Sequence, residues 1–124
     1  MMGGRGLSPL GAWAIVFAAS GGCAGPLSRA EAQFVDGAYP DAERTLVALE
    51  AESRGWGDAK RAEYALYRGL THAALGNGDQ ADVWLREAKA IEDAHAGSLT
   101  PDDANRLKIA LRNGEPIPFQ GVQP

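Results

Sequence analysis

The chain has 124 residues, 45% of them hydrophobic and 23% charged, with aromatics at only 7% and a formal net charge of −4. That suffices for one globular domain, and its Ala-rich hydrophobic share leans towards closely packed helices. The acidic balance argues against nucleic acid and against docking on anionic lipid through a basic face, since both need clustered Lys and Arg.

Residues 1–7 carry one positive charge, Arg5, and no negative one. Residues 10–19 (LGAWAIVFAA) are an apolar run, Ser20, Gly21 and Gly22 are small, and Cys23 follows at once. This order predicts a secretory signal peptide. The run falls well short of the roughly 20 apolar residues that span a bilayer. A lone cysteine excludes an internal disulfide, and its place directly after the small residues makes the segment resemble a bacterial lipoprotein signal. The resemblance implies removal of residues 1–22 and acylation of Cys23. It also implies anchoring of the remainder in the bacterial cell envelope, facing the periplasm. Ala24, where many lipoproteins of the inner membrane carry Asp, mildly favours the outer membrane. Ser20 departs from the pattern, which prefers an aliphatic residue there. Secretion with a free thiol and a chance cysteine remain the alternatives. Lipidation is physically effective because each buried methylene contributes about 0.8 kcal/mol and two chains hold where one does not.

Beyond Cys23 the pattern predicts helices and turns only, with no strand-like alternation. The first helix is expected from Ser28, where Ser28 and Glu31 stand at capping-box spacing. Leu27, Ala30, Phe34 and Ala38 share one of its faces, and Gly37 ends it. Pro40 suits the first turn of a second helix, whose contact face is Ala42, Leu46 and Leu49 and which stops near Ser53, before Gly55 and Gly57. Asp58 is expected to cap a third helix reaching about Leu75. It carries two stripes, one of Ala59, Ala62, Leu66, Leu70 and Ala73, the other of Tyr64, Tyr67, Thr71 and Ala74, so it should be packed on both sides. Gly76, Asn77 and Gly78 form a turn, and Asp79 is expected to cap a fourth helix. Ala81, Trp84, Leu85, Ala88 and Ile91 make its buried face, and Gly97 closes it. Thr100, Pro101, Asp102 and Asp103 start a fifth helix with Ala104, Leu107 and Leu111 inward. Residues 115–124 read as a tail.

The chain also repeats itself. Gly37, Ala42, Leu46 and Leu49 match Gly76, Ala81, Leu85 and Ala88, each pair 39 residues apart. Residues 37–42 (GAYPDA) resemble the turn of tetratricopeptide repeats, Gly69 resembles that family's first-helix glycine, and Ala42 and Ala81 its small second-helix residue. Leu46 and Leu85 stand where the family prefers a large apolar residue. The resemblance covers residues 26–90. It implies an all-α fold, a short α–α superhelix of two such helix pairs with the fifth helix as a C-terminal cap, within a domain of residues 23–114. Three departures stand out. The spacing exceeds the family's period of about 34, an excess that fits the loop of residues 54–57. Ala30 replaces the glycine in the first copy, and the family's first-helix Trp is missing from both.

Catalytic signatures are missing: there is no phosphate loop, HExxH, GxSxG or CxxC. His72 and His95 have no histidine partner at helical spacing and read as solvated or partly packed surface residues. Adjacent carboxylates such as Glu92 and Asp93 point apart on a helix and read as solvated faces. Trp84 belongs to a core stripe. Trp56, flanked by glycines, is either an exposed binding anchor or a cover over helix ends. The family's partners lie in a groove lined by the first helix of each pair. By that resemblance the groove here presents Leu27, Glu31, Phe34 and Val35 opposite Glu63, Leu66, Leu70 and Ala74. Without a cluster of Lys, Arg and Asn it fits an amphipathic helix or an apolar peptide. The expectation is a non-enzyme that holds a protein partner, with no cofactor, metal, nucleic acid or small-molecule substrate. Self-association through exposed helix faces is the alternative.

Overall fold

The structure is a computed structural model and describes residues 25–114; the signal segment, Cys23 and the expected tail lie outside them. Among the described residues the fold is all-α, with helices and turns and no strand. Six helices follow one another: α1 (residues 25–35), α2 (Tyr39–Ala48), α3 (Glu50–Ser53), α4 (Asp58–Ala74), α5 (Gly78–Ala94) and α6 (Pro101–Gly114). α4 is the hub, touching α2, α3, α5 and α6. It also meets α1 through an edge-to-face contact of Phe34 and Tyr67, with ring centroids 5.7 Å apart.

The 39-residue spacing is a repeat of backbone geometry as well as of residue type. Gly37 has φ +83° and Gly76 φ +86°, the left-handed conformation that glycine adopts without steric cost. Around the first, the Ala38 N–H donates to Gln33 O at 2.8 Å and the Gly37 N–H to Phe34 O at 3.0 Å. Around the second, the Asn77 N–H donates to His72 O at 2.8 Å and the Gly76 N–H to Ala73 O at 3.1 Å. These are the paired bonds that close a helix on a left-handed residue, at positions related by the same offset. The residues leading into α2 and α5 repeat too, Ala38 with ψ 63° and Asn77 with ψ 71°. One helix-ending turn is thus used twice.

Inside the second hairpin α4 and α5 cross at Gly69. A Cβ placed on that glycine would lie 2.6 Å from Leu85 Cγ and 3.1 Å from the Leu85 backbone N, so the approach requires a bare backbone. Most of the expected inward faces are buried: Leu27 and Ala30 of α1, Ala42, Leu46 and Leu49 of the α2 region, Ala81, Leu85, Ala88 and Ile91 of α5, and Leu107 of α6, whereas Phe34, Ala38, Trp84, Ala104 and Leu111 are half-buried. α4 buries an unbroken run from Tyr64 to Gly69 where its two stripes meet, while Ala59, Ala73 and Ala74 at the stripe ends are exposed. Some of its polar groups are matched locally, while Arg68 Nε, Thr71 Oγ1 and His72 Nε2 are buried without a hydrogen-bond partner among the described residues. Tyr64 donates to Leu46 O at 2.6 Å and accepts from Arg68 Nη1 at 2.8 Å, and Arg68 reaches Glu50 at 3.1 Å while its guanidinium lies 4.6 Å from the Trp84 ring centre.

Some expectations about local structure are corrected. α1 is already helical at residue 25, so Ser28 lies inside it and no capping box forms; Glu31 turns instead to Glu63. Neither Asp58 nor Asp79 is a cap: Gly57 and Asn77 take those places, and each aspartate sits in the first turn, where it faces the positive end of the helix dipole. Thr100 does cap, its Oγ1 accepting from the Asp103 N–H at 3.2 Å. His72 is buried rather than on the surface, at 6% exposure between α2 and the α4–α5 turn. Its Nδ1 stands 3.9 Å from a Glu43 carboxylate and 3.5 Å from the Asn77 amide. Burial, with Arg68 nearby, lowers its pKa and keeps the ring neutral. Trp56 covers helix ends: it meets Tyr64 edge to face at 5.8 Å, with the Lys60 ammonium 4.2 Å from its ring centre.

Candidate partner-binding groove

α4 meets α6 through a polar link and α1 through the Phe34–Tyr67 ring contact. The Tyr67 hydroxyl donates to Asp103 Oδ1 at 3.1 Å and accepts from Arg106 Nη1 at 2.7 Å, joining α4 to α6. Beyond Arg106 the helices leave a cavity of about 1080 Å³, at the upper end of what encloses a small molecule and open enough for a peptide segment. Phe34 and Val35 of α1, Leu70 and Ala73 of α4, and Ile109 and Leu111 of α6 give it apolar walls. Val35 is 67% exposed and Ile109 44%, a high exposure for branched aliphatic side chains facing one groove. The N-terminal half of α5 closes one side with Asp79, Asp82 and Arg86.

Of the residues expected in the groove, Phe34, Val35 and Leu70 line this cavity. Leu66 does not: it is fully buried at 0% exposure, because it falls one turn deeper on α4, where neighbouring helices cover both sides. Leu27 is likewise taken up by the core. Ala74 is exposed, and it is Ala73 that forms part of the wall. Glu31 and Glu63 do not line it either; their carboxyls face each other. Sequence reasoning missed the contributions of α5 and α6. Ile109 carried a signal, since it lies off the inward stripe of Ala104, Leu107 and Leu111 and has no core position to fill.

Comparison with protein-family models, with curated proteins and with solved structures finds no match. The chemistry of the groove is therefore read from its residues. Among the described residues no group of three or more His, Cys, Asp and Glu is placed to hold a metal ion. No described helix is long and apolar enough to cross a membrane.

The paired carboxyls are the strongest electrostatic feature. Burial, the hydrogen bond and charge of Glu63, and the charge of Asp103 together raise the Glu31 pKa to about 8, against a smaller opposing pull from Arg106. Glu31 is thus protonated at neutral pH, which is what allows two carboxyls to share a hydrogen bond. The sign of the stability effect is opposite to that of an ordinary salt-bridged acid. Between the ordinary carboxyl value of 4.5 and about 8 the unfolded chain gives up this proton and the folded chain keeps it, so the group's contribution falls as pH rises through that window. Glu31→Gln keeps the hydrogen bond without the ionisation. Thermal melts should show it stabilising the fold at pH 8, by about 1–2 kcal/mol because the partly solvated pair is screened by water, and leaving it nearly unchanged at pH 4.5. A gain of equal size at both pH values would contradict the shared proton.

Proposed function

We propose that this chain is a lipid-anchored protein of the bacterial envelope whose helical domain, a short tetratricopeptide-like array, holds another protein in the groove between α1, α4 and α6. The observation that carries the binding role is the groove itself. Its walls are the exposed Val35 and Ile109 with the half-buried Phe34, Leu70 and Leu111, supplied by the first helix of each hairpin and by α6. Such a surface serves to exclude water with a partner's apolar residues. The repeated turn and the close crossing at Gly69 support the resemblance to tetratricopeptide repeats. The order of charge, apolar run, small residues and Cys23 supports the anchor.

Two measurements test the parts separately. In cells fed a labelled fatty acid, the chain should take up label and Cys23→Ala should take up none; equal labelling would remove the anchor. Crosslinking in intact cells should recover a partner, and both Leu70→Arg and Val35→Arg should lower its recovery by tenfold or so, as expected when a charge replaces a buried anchor. Val35 is mostly exposed in the free protein, so its replacement leaves the helical circular dichroism unchanged. Full recovery with Val35→Arg would overturn the groove as the docking site. Val35 and Ile109 could equally pack against a second copy of the chain. A mass that doubles with concentration in light scattering, and returns to the monomer with Val35→Arg, would favour that reading.

A further inference from the structure

The cavity lies where α1, α4 and α6 run out. Val35 is the last residue of α1, Ala73 the last but one of α4 and Gly114 the last of α6, and all three line it. The next residue of the chain, Glu115, is therefore joined to the rim of the groove. Residues 115–124 (EPIPFQGVQP) lie outside the described residues, and their sequence suits them to this place. Proline at 116 and 118 lacks the N–H a helix needs and disfavours helix at the residue before it, which selects an extended chain after α6. In an extended chain alternate residues share a side, so Ile117 and Phe119 form one apolar face. Glu115 is the one charged residue, so the segment brings little that an apolar wall would have to strip of water. Five extended residues span about 17 Å and packed helix axes stand about 8–10 Å apart, so Ile117 and Phe119 reach the facing wall of Leu70 and Val35 from Gly114.

We infer that residues 115–124 are the groove's own ligand: the chain crosses the cavity from Gly114, seats Ile117 and Phe119 against Leu70, Val35 and Ile109, and masks the site until a partner displaces it. Tethering decides the occupant. A segment joined at the rim has an effective concentration in the millimolar range, which a second copy or a free peptide reaches only when concentrated. Even a weak seat, with a dissociation constant of about 0.1 mM, is then filled about nine-tenths of the time, and a partner's apparent affinity falls about tenfold. The seat stands on the groove's geometry and the chain's own sequence. The competition rests on the groove being the partner's docking site.

The test replaces both apolar residues, Ile117→Asp and Phe119→Asp, in the full chain purified in detergent and follows the amide resonances by NMR. Those of Val35, Leu70 and Ile109 should shift, while those of Ala42 and Leu46 in α2 stay in place and show that the fold is intact. A synthetic peptide of residues 115–124, added to the double variant, should return the groove resonances towards their parent positions. In a Val35→Arg background the two substitutions should move Leu70 and Ile109 little further, because the seat is already lost. In intact cells the crosslinked partner should be recovered up to about tenfold better from the double variant. Unmoved groove resonances would overturn the seat, and a fall in recovery with Val35→Arg alone would then leave the docking site standing. If diluting the parent produces the same shifts, the segment belongs to a second copy and the seat within one chain is overturned. Resonances that move as expected, with unchanged recovery, would overturn the competition and with it the groove as the partner's site.

Discussion

Deleting everything after Gly97 should abolish the cooperative thermal transition and leave a chain that binds hydrophobic dyes and aggregates. α6 packs on both α4 and α5 and is the last layer of the stack. Its loss removes Leu99 and Leu107, each 5% exposed, together with the cover that Ala104, Ala110 and Leu111 give the core. It also strips Tyr67 of both hydrogen-bond partners. Each buried leucine contributes roughly 1.5–3 kcal/mol, and the uncovered faces of α4 and α5 lose water exclusion besides. Against a total stability of about 5–15 kcal/mol for a domain of this size, that is enough to unfold it. A graded control is Leu107→Ala, expected to cost about 2–4 kcal/mol and to keep a single sharp transition at a lower temperature. A truncated chain that still melts cooperatively would show that the two hairpins suffice alone and that α6 is no cap.

Gly69→Ala should destabilise the fold although alanine is the better helix former. Helix propensity alone predicts a gain of up to about 1 kcal/mol. The added Cβ, however, would stand 2.6 Å from Leu85 Cγ and 2.7 Å from Cδ2, far inside contact distance. Leu85 is itself 4% exposed with little room to rotate away, and its backbone N at 3.1 Å cannot move without shifting α5. Overpacking of this kind costs about 1–3 kcal/mol, and the propensity gain offsets part of it, so the net expected loss by urea denaturation is up to about 2 kcal/mol. In a Leu85→Ala background the same substitution should cost little or become favourable, because the clashing atoms are gone. That double-mutant cycle separates close approach from any other effect of the methyl group. Additive losses would mean that Leu85 does not limit the approach at Gly69.

The part of the fold legible in the sequence is the part governed by local chemistry. Gly37 and Gly76 ended helices because only a residue without Cβ takes a positive φ freely. The face of Ala81, Leu85, Ala88 and Ile91 was evident from its spacing and is buried as a unit. Ser28 shows the limit of the same reasoning. Its spacing to Glu31 satisfies a capping rule, yet an upstream turn of helix was available and Glu31 met a carboxyl on another helix. His72 shows it again, since nothing near it in sequence announces that α2 will lie across it.

The sequence by itself determined that this chain would be helical, where its turns would fall and that one of them would recur, because propensity, glycine backbone freedom and 3.6-residue periodicity act within a few residues. The groove was another matter. Its apolar walls come from α1, α4 and α6, and the carboxyls of Glu31 and Glu63 meet from two different helices. Which side chains share a cavity, which of them sink into the core like Leu66, and which carboxyl must keep its proton were decided by packing, because burial and charge proximity are properties of the assembled helices.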